Sequence, residues 1–361
     1  MIRVGAIGCG YWGINYVRVF GELANCTITR VCDTRSERLD YVKQRYPLIN
    51  THITVHDLLR DDRLDAVVVS VPATAHYELV RQCLIAGKHV LCEKPLTTTV
   101  KEASELVDLA RDRDRILMVG HTFLYNNGVR KLKEIVRGAT FGDVYYLHAT
   151  RTNLGPIRPD VNAVWDLAAH DVAIFGYLLD SQPVRVSAVG SRLLGSAHED
   201  VSFITLTYPT GVIANIHVSW ADPNKVREVV VVGSNQRVVF DDLNSAERLR
   251  IFEKGVAPEK KEADTFGEYR LLVRDGDIIS PRIEPNEPLK SLAQHFLECI
   301  SEGSTPLSDG NNGRDVVRVL RAIDASLRAC GRPIDIPVFD AVGHHSKDTS
   351  SVVPTGFGVA A

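Results

Sequence analysis

The chain lacks any apolar run long enough to suggest a membrane span. Its apolar runs, such as Ala66 to Val71, fall far short of the roughly 18 residues that a span requires. Ile2 to Gly10 is too short and too strand-like for a signal peptide, and no small-residue cleavage site follows a long apolar core, so none is expected. An excess of one charge is also missing: Lys and Arg number 42 against 45 Asp and Glu, a formal net charge of -3, with a pI near 6.5. There is thus no bulk electrostatic case for nucleic acid or an anionic membrane as partner, though a small basic patch is not excluded. No CxxC pair occurs among the seven cysteines, Cys9, Cys26, Cys32, Cys83, Cys92, Cys299 and Cys330. Several lie in apolar strand-like runs, where a thiol packs as a small hydrophobe. All seven read as free thiols of a reducing cytoplasm, and no metal site is expected. Internal repeats are absent too.

What is present is ordinary globular material. The chain is 45% hydrophobic and 24% charged, enough for a sizeable core. Its 361 residues suggest about two domains. The first 120 residues alternate strand and helix. Apolar runs at Ile2–Ile7, Thr27–Cys32, Asp65–Val71, His89–Cys92 and Ile116–Val119 are separated by helical spacing at Gly13–Leu23, Glu37–Arg45, Tyr77–Ala86 and Thr99–Arg113. Ser36 is placed to cap the second helix. This alternation predicts a doubly wound parallel sheet. After residue 120 the pattern changes to sequential strands with tight polar turns: Val144–Thr150, Val186–Leu193, Val201–Tyr208, Val212–Trp220, Val226–Val232 and Gln236–Asp241. Helical stretches interrupt at Val129–Arg137, Ala163–Leu179, Leu289–Glu302 and Gly313–Ala329. That predicts an α+β domain over 121–337 with a largely antiparallel sheet, and a loose tail over 338–361.

The strongest local signal is Gly8-Cys9-Gly10-Tyr11-Trp12-Gly13. A lone GxGxxG is weak, but this one follows a strand, opens a helix and precedes Asp33 by 20 residues. Gly8 permits the tight turn, Gly10 lets backbone approach a pyrophosphate, and Gly13 lets helix and strand pack closely. The helix N-terminus then offers free N–H groups and its positive dipole end. A Gly-rich turn without ligand is the competing reading. Asp33 suits both ribose hydroxyls of an adenosine and would repel a 2′-phosphate, which favours NAD. Arg35 and Arg38 follow closely and leave NADP open.

Cys92-Glu93-Lys94-Pro95-Leu96 ends a buried strand at the sheet edge where open α/β sheets bind ligands. Pro72-Ala73-Thr74-Ala75-His76 ends another strand on that edge. Taken alone, Lys94 is better read as a surface charge. Together with the Gly loop, however, this order resembles the glucose–fructose oxidoreductase / inositol dehydrogenase / MocA family over residues 1 to about 335. The resemblance implies a Rossmann domain over 1–120, then an α+β domain, with the active site between them. Assembly as a homodimer or homotetramer through the open sheet face is also implied. Lys94 of the Glu-Lys-Pro motif would be catalytic, Glu93 would sit by the nicotinamide ribose, and Pro72 and His76 would line the cofactor.

Trp165-Asp166-Leu167-Ala168-Ala169-His170 opens a helix, and Asp166 and His170, four apart, share a face. Such a pair can orient an imidazole and tune its pKa. A helix-start Asp with a core His is the plainer reading of the residues, but the family carries Asp-x-x-x-His here, facing the cofactor and catalytic Lys, which implies that Asp166 orients His170 or pairs with Lys94. One departure is the absence of the Gly-rich run that many members have just before this Asp; Asp160 to Trp165 stands there. The string from Arg151 through Asp166 resembles a branch acting at C3 of UDP-N-acetylglucosamine-type sugars. Arg151, Asn153, Arg158 and Asn162 offer donors for a phosphorylated, hydroxyl-rich ligand, or are ordinary loop polarity. His121 and Tyr125 cross into the second domain and are candidates to touch cofactor or substrate. The expected cofactor contacts are therefore Gly8, Gly10, Tyr11, Trp12, Gly13, Asp33, Arg38, Pro72, His76, Glu93, Lys94, His121 and Trp165. Expected substrate contacts are Lys94, Tyr125, Arg151, Asn153, Arg158, Asn162 and His170. His344 and His345 read as tail residues, and Asp222, Asp241 and Asp242 as turn residues, rather than as metal ligands. The expected activity is NAD-dependent oxidation or reduction of a sugar, a nucleotide sugar above all. A free sugar, inositol or glycoside, or a non-catalytic NAD sensor, is the alternative.

Overall fold

A computed structural model describes the chain except residues 156, 159, 196, 259–270 and 338–361. The expected tail, with His344 and His345, and Pro156 of the Arg151–Asp166 string lie outside the described residues. The first unit runs β1 (Ile2–Ile7), α1 (Gly13–Glu22), β2 (Cys26–Cys32), α2 (Ser36–Arg45), β3 (Asn50–His52), α3 (Val55–Leu59), β4 (Ala66–Val69), α4 (His76–Ile85), β5 (His89–Cys92), α5 (Val100–Asp112) and β6 (Leu117–Val119). The six strands pair in the order β3-β2-β1-β4-β5-β6, all parallel. Strand order reverses between β1 and β4, and the crevice outside the carboxyl ends of strands at such a switch point is where these sheets take ligands. The continuous Val run of β4 is buried on both faces, as a central parallel strand must be.

Two local expectations change. Ser36 is the first helical residue of α2, not its cap; Arg35 precedes it in extended conformation with no side-chain cap bond. By contrast, Thr99 does cap α5, accepting the Glu102 N–H at 3.2 Å. β3 and α3 were not foreseen: a three-residue polar strand and a five-residue helix carry too little periodicity to register.

The second unit contains α6 (Asn127–Arg137), β7 (Val144–Thr152), α7 (Ala169–Leu179), β8 (Arg185–Ser191), β9 (Val201–Thr207), β10 (Ile213–Ser219), β11 (Val226–Gly233), β12 (Arg237–Asp241), β13 (Leu249–Phe252), β14 (Gly255–Pro258), β15 (Leu271–Arg274), β16 (Ile278–Ile279), α8 (Pro288–Glu302), α9 (Gly310–Arg328) and β17 (Ile334–Asp335). Nine strands form one sheet in the order β16-β13-β12-β11-β7-β10-β9-β8-β17. Every pair is antiparallel except β7 with β10. The expected single helix over Ala163–Leu179 instead starts as a π turn, Val164–Ala168.

The C-terminal helices return to the first unit. α8 packs on α1 and α9 on α5. Ser308 clasps β6: Val119 N–H donates to its carbonyl at 2.7 Å, and its hydroxyl donates to the Val119 carbonyl at 2.7 Å. Among the described residues, no helix is long and apolar enough to cross a membrane. All seven cysteines are free, and all but Cys330 are buried.

Candidate active site

The glycine loop is built on close approach. Gly8 has φ of 86°, and a Cβ there would lie 2.4 Å from the Ser70 carbonyl oxygen. A Cβ on Gly13 would lie 1.9 Å from the Gly8 carbonyl oxygen. No L side chain fits either position. Over Gly10 the space is open except for Arg35 Nη2, 3.5 Å from where a Cβ would stand. The first turn of α1 has no acidic residue and no side-chain cap; its Ile14 and Asn15 N–H groups donate to the Gly10 and Trp12 carbonyls, so it offers an anion chiefly its positive dipole end. Tyr11 is 83% exposed and Trp12 half-exposed, edge to face with centroids 5.9 Å apart.

Asp33 lies at the end of β2 beside this loop. Its Oδ2 accepts the Cys9 N–H at 2.9 Å and Arg35 Nη2 at 3.1 Å. Its Oδ1 accepts the Arg35 backbone N–H at 2.9 Å and Nε at 3.1 Å. Burial works to raise its pKa, but these donors prevail and hold it at about 2. The Cys9 thiol, buried and 3.5 Å from the same carboxylate, is pushed up to about 12. Arg38 is exposed on the first turn of α2. Cradle, open backbone and buried carboxylate fit a dinucleotide.

The neighbouring strand ends supply the reactive groups. Glu93 is buried and accepts Tyr16 Oη–H at 2.6 Å and the Lys94 backbone N–H at 3.1 Å; burial raises its pKa. Lys94 Nζ donates to the Asp166 carbonyl at 2.7 Å and reaches its Oδ1 at 3.4 Å. Asp166 Oδ1 also accepts Arg158 Nη1 at 3.2 Å, and its Oδ2 accepts the Trp220 indole N–H at 3.4 Å. Burial opposes its ionisation, but Lys94 and Arg158 keep the carboxyl below its ordinary range. Arg158 is held in turn by Asp160 at 2.6 and 3.0 Å.

His170 stands over Phe123, with centroids 4.9 Å apart, and its Nδ1 is sealed without a partner. Burial first, then the charges of Lys94 and Arg151, push its pKa well below the usual value. His121, 1% exposed, has neither ring nitrogen partnered. Burial and the Lys94 charge push it down to about 3. Both rings are therefore neutral beside a cation.

The sequence-predicted residues thus divide. Lys94, Asp166 and Arg158 meet directly, with His170 and His121 close to the same ammonium. Asp166 pairs with Lys94 rather than with His170. Five others have protein partners in the fold. Pro72 leads into a 3₁₀ turn, Ala73–Ala75, but buried His76 lies between the Pro95 and Val71 carbonyls at 2.7 and 2.9 Å. Tyr125 is fully buried with its hydroxyl 3.0 Å from Ser308 Oγ. Arg151 is buried on Asp171, with contacts of 2.7 and 3.0 Å, and its guanidinium lies over Phe123. Asn162 and Trp165 both donate to Asp324, at 3.2 and 2.9 Å. Asn153 is half-buried on the loop after β7. Tyr16, Asp171, Trp220 and Asp324 were missed. Each acts across more than a turn of helix or from a distant element, and no motif in the chain signals such a pairing.

The fold and site define an oxidoreductase class, and comparison with known proteins places the chain within it. Residues 2–121 match the family described as "Oxidoreductase family, NAD-binding Rossmann fold", and residues 129–239 match the GFO/IDH/MocA C-terminal domain. The chain belongs to the Gfo/Idh/MocA family. It is 28% identical to a UDP-N-acetylglucosamine 3-dehydrogenase of Acidithiobacillus ferrooxidans over 331 residues, 91% of this chain and 98% of that one. A crystal structure under that description from the same organism superposes with a TM-score of 0.76 at 25% identity, covering 91% and 98% of the two chains. The chain is also 27% identical to a myo-inositol 2-dehydrogenase of Thermotoga maritima over 324 residues, 87% and 92% of the two chains.

Proposed function

We propose that this protein is an NAD(H)-dependent dehydrogenase acting on a secondary alcohol of a sugar, at C3 of a nucleotide sugar such as UDP-N-acetylglucosamine. The observation that carries the reading is the Lys94 ammonium, held by Asp166 at the carboxyl edge of the sheet beside the glycine loop. A bound nicotinamide supplies the two-electron acceptor or donor. Gly8, Gly10, Gly13 and the α1 N-terminus would hold its pyrophosphate, and Asp33 the adenosine ribose. Lys94 stabilises the alkoxide that forms at the reacting carbon. His170, neutral and half-buried, takes the hydroxyl proton through the nitrogen other than its sealed Nδ1. Asp166 holds Lys94 in place. Lys94 as the proton-transfer group, with Asp166 and His170 in support, is the reverse assignment.

The nucleotide-sugar reading draws on the similarity to the UDP-N-acetylglucosamine 3-dehydrogenase, with Asn153 and with Arg158, which Asp160 and Asp166 already hold, as its candidate donors. The myo-inositol 2-dehydrogenase similarity favours a free cyclitol or sugar as the second reading. The test is a screen with NAD and NADP of UDP-sugars, free sugars and inositols, followed by reduced-nicotinamide absorbance. Turnover with a UDP-sugar, giving a 3-keto product, is expected. Turnover with inositols alone would replace the substrate reading, and no turnover with any polyol would favour a sensor.

For assembly, a homodimer or homotetramer through the second sheet is supported by its outward residues. Tyr146 and Ile213 are register partners, as are Val189 and Phe203, and all are exposed. Sedimentation should show a dimer or tetramer that Phe203→Glu weakens.

A further inference from the structure

The segment that carries Asp166 departs from regular helix. In the π turn Val164–Ala168, the Ala169 N–H reaches back five residues to the Val164 carbonyl. Such a widened turn is rare and frequent at functional sites. Here the carbonyl and the carboxylate of one residue, Asp166, both face the Lys94 ammonium.

Support from outside comes from Glu199, whose Oε2 accepts Asn162 Nδ2–H at 3.3 Å and whose carbonyl accepts the Ala163 N–H at 2.9 Å, and from α9. Asp324 Oδ2 accepts the Trp165 indole N–H at 2.9 Å, and Oδ1 accepts Asn162 Nδ2–H at 3.2 Å. Asn162 Oδ1 in turn accepts the Trp165 backbone N–H at 3.1 Å. Arg321, one turn earlier on α9, stands 3.6 Å from the carboxylate. Trp165 is 5% exposed and the Asp324 side chain 13%. Asn162, just before the turn, and Trp165, within it, are thus both tied to one largely buried carboxylate, more than 150 positions further along the chain.

We propose that Asp324 is a positioning residue of this active site: through Asn162 and Trp165 it holds the π turn, and so sets where Asp166 places the Lys94 ammonium. The inference rests on Lys94 being the alkoxide-stabilising group, yet the position of Lys94 is readable without turnover. Asp324→Asn keeps the size and removes the charge. Trp165→Phe removes the indole donor and leaves Asp324 intact, which keeps the test alive if the first variant folds poorly.

The measurements on the full chain are acylation of Lys94 by a small amine-reactive ester, quantified by peptide mass spectrometry, NADH affinity by fluorescence, and kcat with its pH profile. In folded variants we expect Lys94 to label faster and kcat to fall roughly tenfold to a hundredfold, the cost of a displacement of about 1 Å. NADH affinity should hold, and the pH profile should move. A double variant should lose no more than the worse single one. If both variants fold, label Lys94 at the native rate and keep kcat, the proposal is overturned; a lower melting temperature alone would show a merely structural role. Lys94→Ala with native turnover would instead overturn the functional reading, while faster labelling in Asp324→Asn would still support the positioning role.

Discussion

The glycine-loop edge and the Asp166 side of the site are built by different means. Along the edge, backbone requirements dominate. Gly8 and Gly13 are where they are because no Cβ fits, and Asp33 sits at a strand end beside them. Such constraints are local in sequence and leave a mark that one stretch of residues displays. Across the cleft, position is set by long-range side-chain pairs: Arg151 with Asp171, Trp165 and Asn162 with Asp324, and Trp220 with Asp166. There, residue type shows what a group could do, but not which partner has already claimed it.

The largest effect that sharpens this contrast concerns Arg151. As a substrate contact, its loss would raise KM in a stable enzyme. As a buried partner of Asp171, its removal leaves an uncompensated charge in the core, which costs about 3–5 kcal/mol. Thermal unfolding of Arg151→Ala should show the large loss of stability. A native melting temperature with a raised KM would return Arg151 to the substrate.

Next comes Lys94, where the two regions meet. Lys94→Ala should retain NADH binding, because the glycine loop and Asp33 are untouched, and lose about 10²–10³ in kcat, the range for one electrostatic donor at a developing oxyanion. Fluorescence titration and steady-state kinetics check the split. Parallel losses in both would mean that Lys94 shapes the nucleotide site instead.

His121 tests the interior between them. Its pKa is about 3 in the fold against about 6.5 in an unfolded chain, because burial and Lys94 disfavour the charged ring. Below pH 6.5 the unfolded state therefore binds the extra proton, and stability falls as pH falls toward 3. The slope is at most about 1.4 kcal/mol per pH unit. His121→Leu should remove that contribution, so the variant loses less stability than wild type between neutral and mildly acidic pH in denaturant titrations. Equal pH slopes would show that His121 is protonated in the fold.

The legible part of the molecule was therefore the alternation of β1 to β6, the change to sequential strands near β7, and the strand-end motifs that carry Gly8, Asp33 and Lys94. Asp166 and His170 were found through their spacing and the family pattern, which left Asp166 to orient His170 or to pair with Lys94; in the fold it meets Lys94. A carboxylate four residues from an imidazole lies on its face in a regular helix. Here the segment is a π turn, and Asp166 meets Lys94. Tyr125 looked like a cleft residue because it follows the last Rossmann strand. Its hydroxyl was taken by Ser308, which arrives from the far end of the chain.

Arg35 is the smallest test and the one place on the legible edge where two readings stayed open. Its guanidinium closes on both oxygens of Asp33, and with Cys9 and its own backbone N–H it fills the carboxylate's acceptor directions. A ribose diol must displace it. Arg35 is about half exposed, and such a surface pair is worth only about 0–1 kcal/mol, so displacement is cheap. A displaced guanidinium is a charge that a 2′-phosphate on that ribose would attract. Arg35→Ala should therefore leave NAD affinity within a few-fold of native, or slightly tighter, and selectively weaken NADP. Titration of both reduced cofactors by fluorescence checks this. If NADP binds the variant as tightly as it binds the native protein, Arg35 is only the counter-ion of Asp33, and cofactor choice rests on the carboxylate alone.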